Sequence, residues 1–182
     1  MRTHDLNFRL LAREDFPLLA TWLSQPHVSR WWRHDPSEKS VEADFGPAVD
    51  GSDPTELLLV FHGARPIGLV QSYRLGDYPE WLSSLRDFAP HHDSVGIDYL
   101  IGERDAIGHG IGSEMIRLLV QRIWSKHAKA PAVVVAVSRD NVASWRALEK
   151  AGFERVWSGV LASDDPSDRG RSFLYERARS KR

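Results

Sequence analysis

Apolar and polar positions along this chain follow two rhythms. Residues 6–11 alternate with period two, which predicts a first half-buried strand. Over residues 14–23 the period lengthens. Phe16, Leu19, Ala20 and Leu23 then share one helical face, and Pro17 is tolerated in a first turn. Pro26 interrupts, and residues 27–32 read as a short helix or turn before a weaker helix over 37–49, ended by Asp50-Gly51. Residues 57–62 and 66–75 are strand-like and joined by Gly63-Ala64-Arg65, a hairpin by its length and its glycine.

Residues 76–93 form a long insertion with no clean period, and loops of that length inside a compact domain usually serve function. A strand follows over 94–102, with Val95, Ile97 and Tyr99 on one face and Asp98 on the other. Over 112–126 the stripe Met115, Ile116, Leu119, Val120 and Ile123 predicts an amphipathic helix. The Val-rich run 132–137 suits a strand buried on both faces. A helix over 141–150, capped by Asp140 or Asn141 and stopped at Gly152, precedes two last strands, 153–161 and 171–177. The fold class is therefore α/β, a mixed sheet of order β-α-α-β-β-β-α-β-α-β-β, read as one domain over 1–182.

Composition narrows the function classes. A net charge of −1 argues against a nucleic-acid partner, which demands surplus Lys and Arg. No apolar run reaches the roughly 20 residues of a membrane span, and the polar N-terminus is no signal peptide, so a cytoplasmic location is expected. The absence of cysteine excludes a disulfide, a thiolate nucleophile and Cys-ligated metal. Neither the carboxylates nor the histidines show metal-site spacing; His91 and His92 are adjacent in the insertion, and no metal is expected.

The most informative run is Ile107-Gly108-His109-Gly110-Ile111-Gly112-Ser113, between a strand and a helix. Its glycines permit close backbone approach, and first-turn amides at a helix start are unpaired and partly positive, which makes an anion site. A pyrophosphate is the expected occupant, with His109 turned to solvent. Asp98 is a mid-strand carboxylate, and a buried carboxylate needs a partner such as Arg74. The insertion interleaves Asp77, Tyr78, Glu80, Trp81, Asp87 and Asp93, a pattern that suits a cationic ring compound; the alternative is a solvated loop anchored by Trp81. Asp164 and Asp165, with Asp168, fall in the last strand turn, where substrate binding and plain turn chemistry are equally open. Trp31 and Trp32 cannot share a helix face; Trp32 is assigned to the acceptor pocket, and Trp31, Trp22, Trp124 and Trp157 to the core.

The glycine run together with Asn141-x-x-Ser144 and Glu149-Lys150-Ala151-Gly152-Phe153 resembles the GCN5-related N-acetyltransferase (GNAT) superfamily over nearly the whole chain. Trp22-Leu23, His27-Val28, Trp31-Trp32, Pro66-Ile67-Gly68-x-x-Gln71-Ser72-Tyr73 and Gly96-Ile97-Asp98-x-Leu100 are similar to aminoglycoside 6′-N-acetyltransferases. Siderophore-pathway acyltransferases share the front half of that pattern. The resemblance implies splayed central strands and acetyl-coenzyme A as co-substrate. It places the pyrophosphate on Gly108, His109, Gly110, Ile111, Gly112 and Ser113, and the pantetheine arm beside Asn141. Main-chain amides near Leu100 and Ile101 hold the thioester carbonyl in that superfamily.

Within that frame Asp98 is the candidate base, with Glu103 its rival, because an amine arrives as ammonium and must lose a proton before it attacks. Trp32, Tyr73, Asp77, Glu80, Trp81, Asp98, Asp164 and Asp165 are the candidate acceptor contacts. Three positions depart from the family pattern. Ala106 replaces a phosphate-binding Gln or Arg, Leu148 replaces the tyrosine that protonates the thiolate, and Ala136 replaces an acidic substrate contact. Ser144 or water then takes the acid role, and with no cysteine the transfer is direct. The implied acceptor is the 6′-amine of an aminoglycoside, a polycationic small molecule. Alternatives are a hydroxylated lysine, a protein or polyamine amine, or an acyl-coenzyme A-binding module without turnover. The expected assembly is a monomer or weak homodimer.

Overall fold

The computed structural model describes residues 5–85, 88 and 90–180. Its strands form one seven-stranded mixed sheet, ordered β1-β2-β3-β4-β5-β7-β6. The chain divides into two compact units, Met1–Gln71 with Asp98–Ile111, and Ser72–Ile97 with Gly112–Arg182. Strands β3 (Arg65–Arg74) and β4 (Val95–Ile101) run from one unit into the other.

In the first unit, β1 (Leu6–Leu10) pairs antiparallel with β2 (Glu56–His62), from Leu6↔His62 to Leu10↔Leu58. The β2–β3 connection turns at Gly63, whose φ of +62° lies in the left-handed region that glycine tolerates. Helix α1 (Phe16–Ser24) carries Pro17 in its first turn and buries Phe16, Leu19, Trp22 and Leu23. Pro26, expected only to interrupt, opens the short helix α2 (Pro26–Ser29), because a first helical residue has no use for its N–H. Ser37 caps α3 (Glu38–Val49), its hydroxyl accepting from Ser40 N at 3.3 Å. These helices and strands share a core of Leu19, Leu23, Val41, Phe45, Leu59, Leu69 and Leu100.

In the second unit, β5 (Ala132–Ser138) lies beside β7 (Arg171–Ala178), antiparallel along its whole length. Strand β6 (Glu154–Val160) pairs with β7 through a register shift between Arg155 and Trp157. Val133, Val134 and Val135 are buried, as the apolar run requires. Helix α5 (Ile111–Lys126) buries Met115, Ile116, Leu119, Val120 and Ile123, the stripe read from the 3.6 period. The insertion is not wholly irregular. It holds the short helix α4 (Pro79–Ser84), which is too brief to show a period. Helix α6 (Val142–Lys150) completes the unit.

Arg179 closes the C-terminal end of α5. It donates to the carbonyls of Ala130, Trp124 and His127 and lies 4.3 Å over the Trp124 ring. A cation there meets both the orphan carbonyls and the negative end of the helix dipole. Trp124 is half-buried, as are Trp31 and Trp157, so of the four tryptophans assigned to the core only Trp22 lies fully inside it. Among the described residues no helix is long and apolar enough to cross a membrane.

Candidate active site

The parallel ladder of β4 with β5 consists of Val95↔Val133 and Gly96↔Val134 and goes no further. The divergence implied by the resemblance is therefore present, and Asp98 lies just beyond the last registered pair. Asp98 is half-buried and accepts a hydrogen bond from Gln71 Nε2 at 2.9 Å. Arg74, the partner considered from sequence, instead donates to Asp93 at 3.0 Å. The rival carboxylate Glu103 is committed elsewhere: it accepts from Trp22 Nε1 at 2.9 Å and is ion-paired with Arg65, which also holds Asp105.

The backbone after Asp98 is held from several sides. The Ile101 carbonyl faces His27 Nε2 at 3.1 Å, and since a carbonyl only accepts, that nitrogen carries the proton. His27 thus helps to hold the end of β4. The Leu100 side chain is buried in the first unit's core, and Gly68 lies so close to the Leu100 carbonyl that a β-carbon has no room. Glycine patterning in the sequence hints at Gly68, but nothing in it names the strand that crowds it.

The glycine run forms an exposed turn over 107–110, with Gly108 at φ +88° and Gly110 at φ +78°. Both values belong to the region open to glycine and strained for other residues. Helix α5 starts at Ile111, one residue before its expected start, so the amides of Ile111, Gly112 and Ser113 fall in its first turn. Ile111 and Ser113 are buried; His109 is exposed, as expected. Ala106 is fully buried and projects nothing toward the turn.

Asn141 caps α6, its Oδ1 accepting from Ser144 N at 3.2 Å, and Ser144 is half-buried in the first turn. Leu148 is fully buried. The buried phenol packed against this helix is Tyr175, which donates to Glu149 Oε1 at 2.9 Å. Burial, then the hydrogen bond to Glu149, pushes that phenol up to about 12.

The acceptor candidates fall mainly in the second unit. Tyr73 meets Tyr78 edge-on at 5.0 Å and Trp81 at 6.4 Å. Trp81 is half-buried against a core of Leu75, Leu85, Val134, Leu161 and Leu174, so it anchors the insertion in the way the alternative reading foresaw. Asp77 and Glu80 are exposed on the same segment, and Asp87 lies outside the described residues. Gly96 makes room for Tyr73, since a β-carbon there would lie 2.5 Å from the ring. Ala136, at the slot of an acidic contact, is half-buried against the same core.

Ala162 N donates to Ser84 O at 3.1 Å, which ties α4 to the segment leading to Asp164 and Asp165. Asp165 accepts from Ser167 N at 2.7 Å, an ordinary turn cap, and Asp164 is exposed. Burial raises the Asp168 carboxyl above its ordinary value, against a hydrogen bond from Ser163. Trp32 belongs to the first unit, half-buried beside His34 at 5.6 Å. His91 and His92, adjacent in sequence, bring ligand atoms within 4.8 Å of one another together with Asp93.

A family model described as an acetyltransferase (GNAT) domain matches residues 12–159, which run through both units. An aminoglycoside N(6′)-acetyltransferase type 1 from Klebsiella pneumoniae is 28% identical over 166 residues, covering 89% of this chain and 80% of that protein. The lysine N-acyltransferase MbtK of Mycobacterium tuberculosis is 20% identical over 149 residues, covering 79% of this chain and 66% of that protein. The solved structure of AAC(6′)-Ib with coenzyme A superposes with a TM-score of 0.81 at 24% identity, covering 96% of this chain and 95% of that one. The same enzyme with paromomycin and acetyl-coenzyme A gives 0.82, over 96% and 94%.

Proposed function

The chain belongs to the GNAT acetyltransferase domain family, and from that premise we propose that it transfers an acetyl group from acetyl-coenzyme A to the 6′-amine of an aminoglycoside. The observation that carries this reading is the turn at Gly108 and Gly110, which opens directly into the first-turn amides of α5. The amides of a helix's first turn favour a pyrophosphate without needing the side chain that Ala106 lacks. The thioester supplies an activated acetyl group when bound.

The remaining chemistry falls to residues of this chain. Asp98, oriented by Gln71, attracts the ammonium and removes its proton directly or through water, so that the nitrogen lone pair can attack the acetyl carbon. Main-chain donors near Leu100 and Ile101 polarise the acyl oxygen. As the carbon–sulfur bond breaks, the nitrogen sheds its second proton, and Ser144 or water relays a proton to sulfur, since Leu148 cannot. Asn141 borders the pantetheine arm. Tyr73, Trp81 and Trp32 offer aromatic surface to the sugar rings, and Asp77, Glu80, Asp164 and Asp165 offer charge to the remaining ammoniums. The 28% relative named for aminoglycoside acetylation supports this acceptor over others.

A second reading, acylation of a lysine side chain, draws on the similarity to the lysine N-acyltransferase. An acceptor screen that follows free thiol release from acetyl-coenzyme A separates the two. Release with kanamycin supports the aminoglycoside reading, and release with hydroxylysine alone supports the second. Tight coenzyme binding with no release for any amine overturns both in favour of a binding module.

A further inference from the structure

We propose that the turn His91-His92-Asp93, immediately before β4, binds one divalent transition-metal ion of the zinc class and thereby clasps the base of the insertion. One ligand atom from each residue lies within 4.8 Å of the others. Asp93 Oδ2 is 3.5 Å from His92 Nε2 and 4.0 Å from His91 Nδ1. Tetrahedral zinc with bonds of about 2.0–2.2 Å separates its ligand atoms by roughly 3.3 Å, so small rotations of two exposed imidazoles close the set. The two rings already stack at 4.5 Å with planes 24° apart, which brings their edges side by side.

The donor set selects the ion. Two imidazoles and one carboxylate suit zinc, copper or nickel, whereas calcium and magnesium require oxygen throughout. Two details prepare the ligands. Asp93 N donates to His91 Nδ1 at 3.1 Å, so that nitrogen presents a lone pair rather than a proton, and a metal takes over that lone pair in exchange. Arg74 donates to Asp93 Oδ1 at 3.0 Å, which orients the carboxylate and leaves Oδ2 toward the imidazoles.

The clasp follows from what the turn already holds. Leu75 N donates to Ser94 O at 2.9 Å, and Gly76 N donates to His92 O at 2.8 Å. The two ends of the insertion therefore meet at this turn, and a metal bound there stiffens the loop that carries Asp77, Tyr78, Glu80 and Trp81. An effect on the acceptor rests on the function proposed above; metal binding itself does not.

The test is calorimetric titration of the full, untagged chain with zinc chloride, repeated with cobalt(II) as a spectroscopic probe. The expected result is one ion per chain, with affinity falling at least tenfold in His91→Ala and in His92→Ala. Hydrogen exchange at Leu75 and Gly76 should slow with zinc in the parent chain and not in the variants. Absence of stoichiometric binding, or binding undiminished in the double variant, overturns the site. Binding without slowed exchange at Leu75 and Gly76 overturns the clasp. Neither readout depends on turnover, so the acceptor assignment can fail while the metal site stands.

Discussion

Gln71 on β3 donates to Asp98 on β4 at 2.9 Å, an amide orienting a carboxylate. The donor is neutral, so it sets the direction of that Asp98 oxygen without itself cancelling the charge. Asp98→Asn should lower kcat by about 10²–10⁴-fold while the Kd for acetyl-coenzyme A stays unchanged. Gln71→Leu should lower it by less, because it removes one donor and leaves the carboxylate in place. Steady-state kinetics beside coenzyme titration check both, and an unaltered rate in Asp98→Asn removes Asp98 from the base role.

The glycine turn makes a complementary prediction. Gly108 and Gly110 have positive φ, so Gly110→Ala strains the backbone by roughly 1–2 kcal/mol. Coenzyme affinity should fall by about tenfold, with the KM for the acceptor nearly constant. The opposite pattern, acceptor KM rising alone, contradicts the pyrophosphate assignment.

Gly96 acts through shape. A β-carbon there would stand 2.5 Å from the Tyr73 ring, so Gly96→Ala must displace that ring from its edge contacts with Tyr78 and Trp81. If Tyr73 borders the acceptor, KM for the amine rises several-fold while coenzyme binding holds. A variant with parental KM and a shifted Tyr73 ring argues that Tyr73 is only packing.

Tyr175 makes stability depend on alkaline pH. Its phenol is pushed up to about 12, chiefly by burial and then by Glu149, against about 10 for free tyrosine. The folded chain therefore binds this proton more tightly than the unfolded chain. That contribution is complete below about pH 10 and is lost as pH rises through about 12. Urea melts from neutral pH upward should show the gap between the parent and Tyr175→Phe narrowing only above about pH 10. A constant gap refutes the coupling.

Ser94 is fully buried, and among the described residues its hydroxyl has no hydrogen-bond partner. The Ser94 backbone is well used, with N donating to His91 O and O accepting from Leu75 N, and alanine retains both bonds. Ser94→Ala should therefore raise unfolding stability by about 1 kcal/mol, measured by denaturant midpoint. A loss of similar size would mean that the hydroxyl has a partner in solution.

Much of this was legible in one dimension. The alternation of β1, the stripe of α5, the double-sided burial of β5, the glycine turn and the Asn141 cap are constraints between neighbours a few residues apart, and periodicity exposes them. The insertion's helix α4 was not legible, because six residues are too few to show a helical period. The grouping of Asp93 with His91 and His92 was not legible either, since adjacent residues show no ligand spacing until a turn folds their side chains together.

By itself the sequence determined the element order, the faces that become core and the place where a glycine turn meets a helix start, because backbone sterics and hydrophobic period are local. Only the tertiary structure decided which partner each charged group takes. Asp98 meets Gln71 while Arg74 goes to Asp93, and Glu103 is spent on Arg65 and Trp22. Only it revealed that Gly68, Gly96 and Gly102 make room for Leu100, Tyr73 and Trp22. These choices depend on which strands and helices lie side by side, and no local rule carries that information.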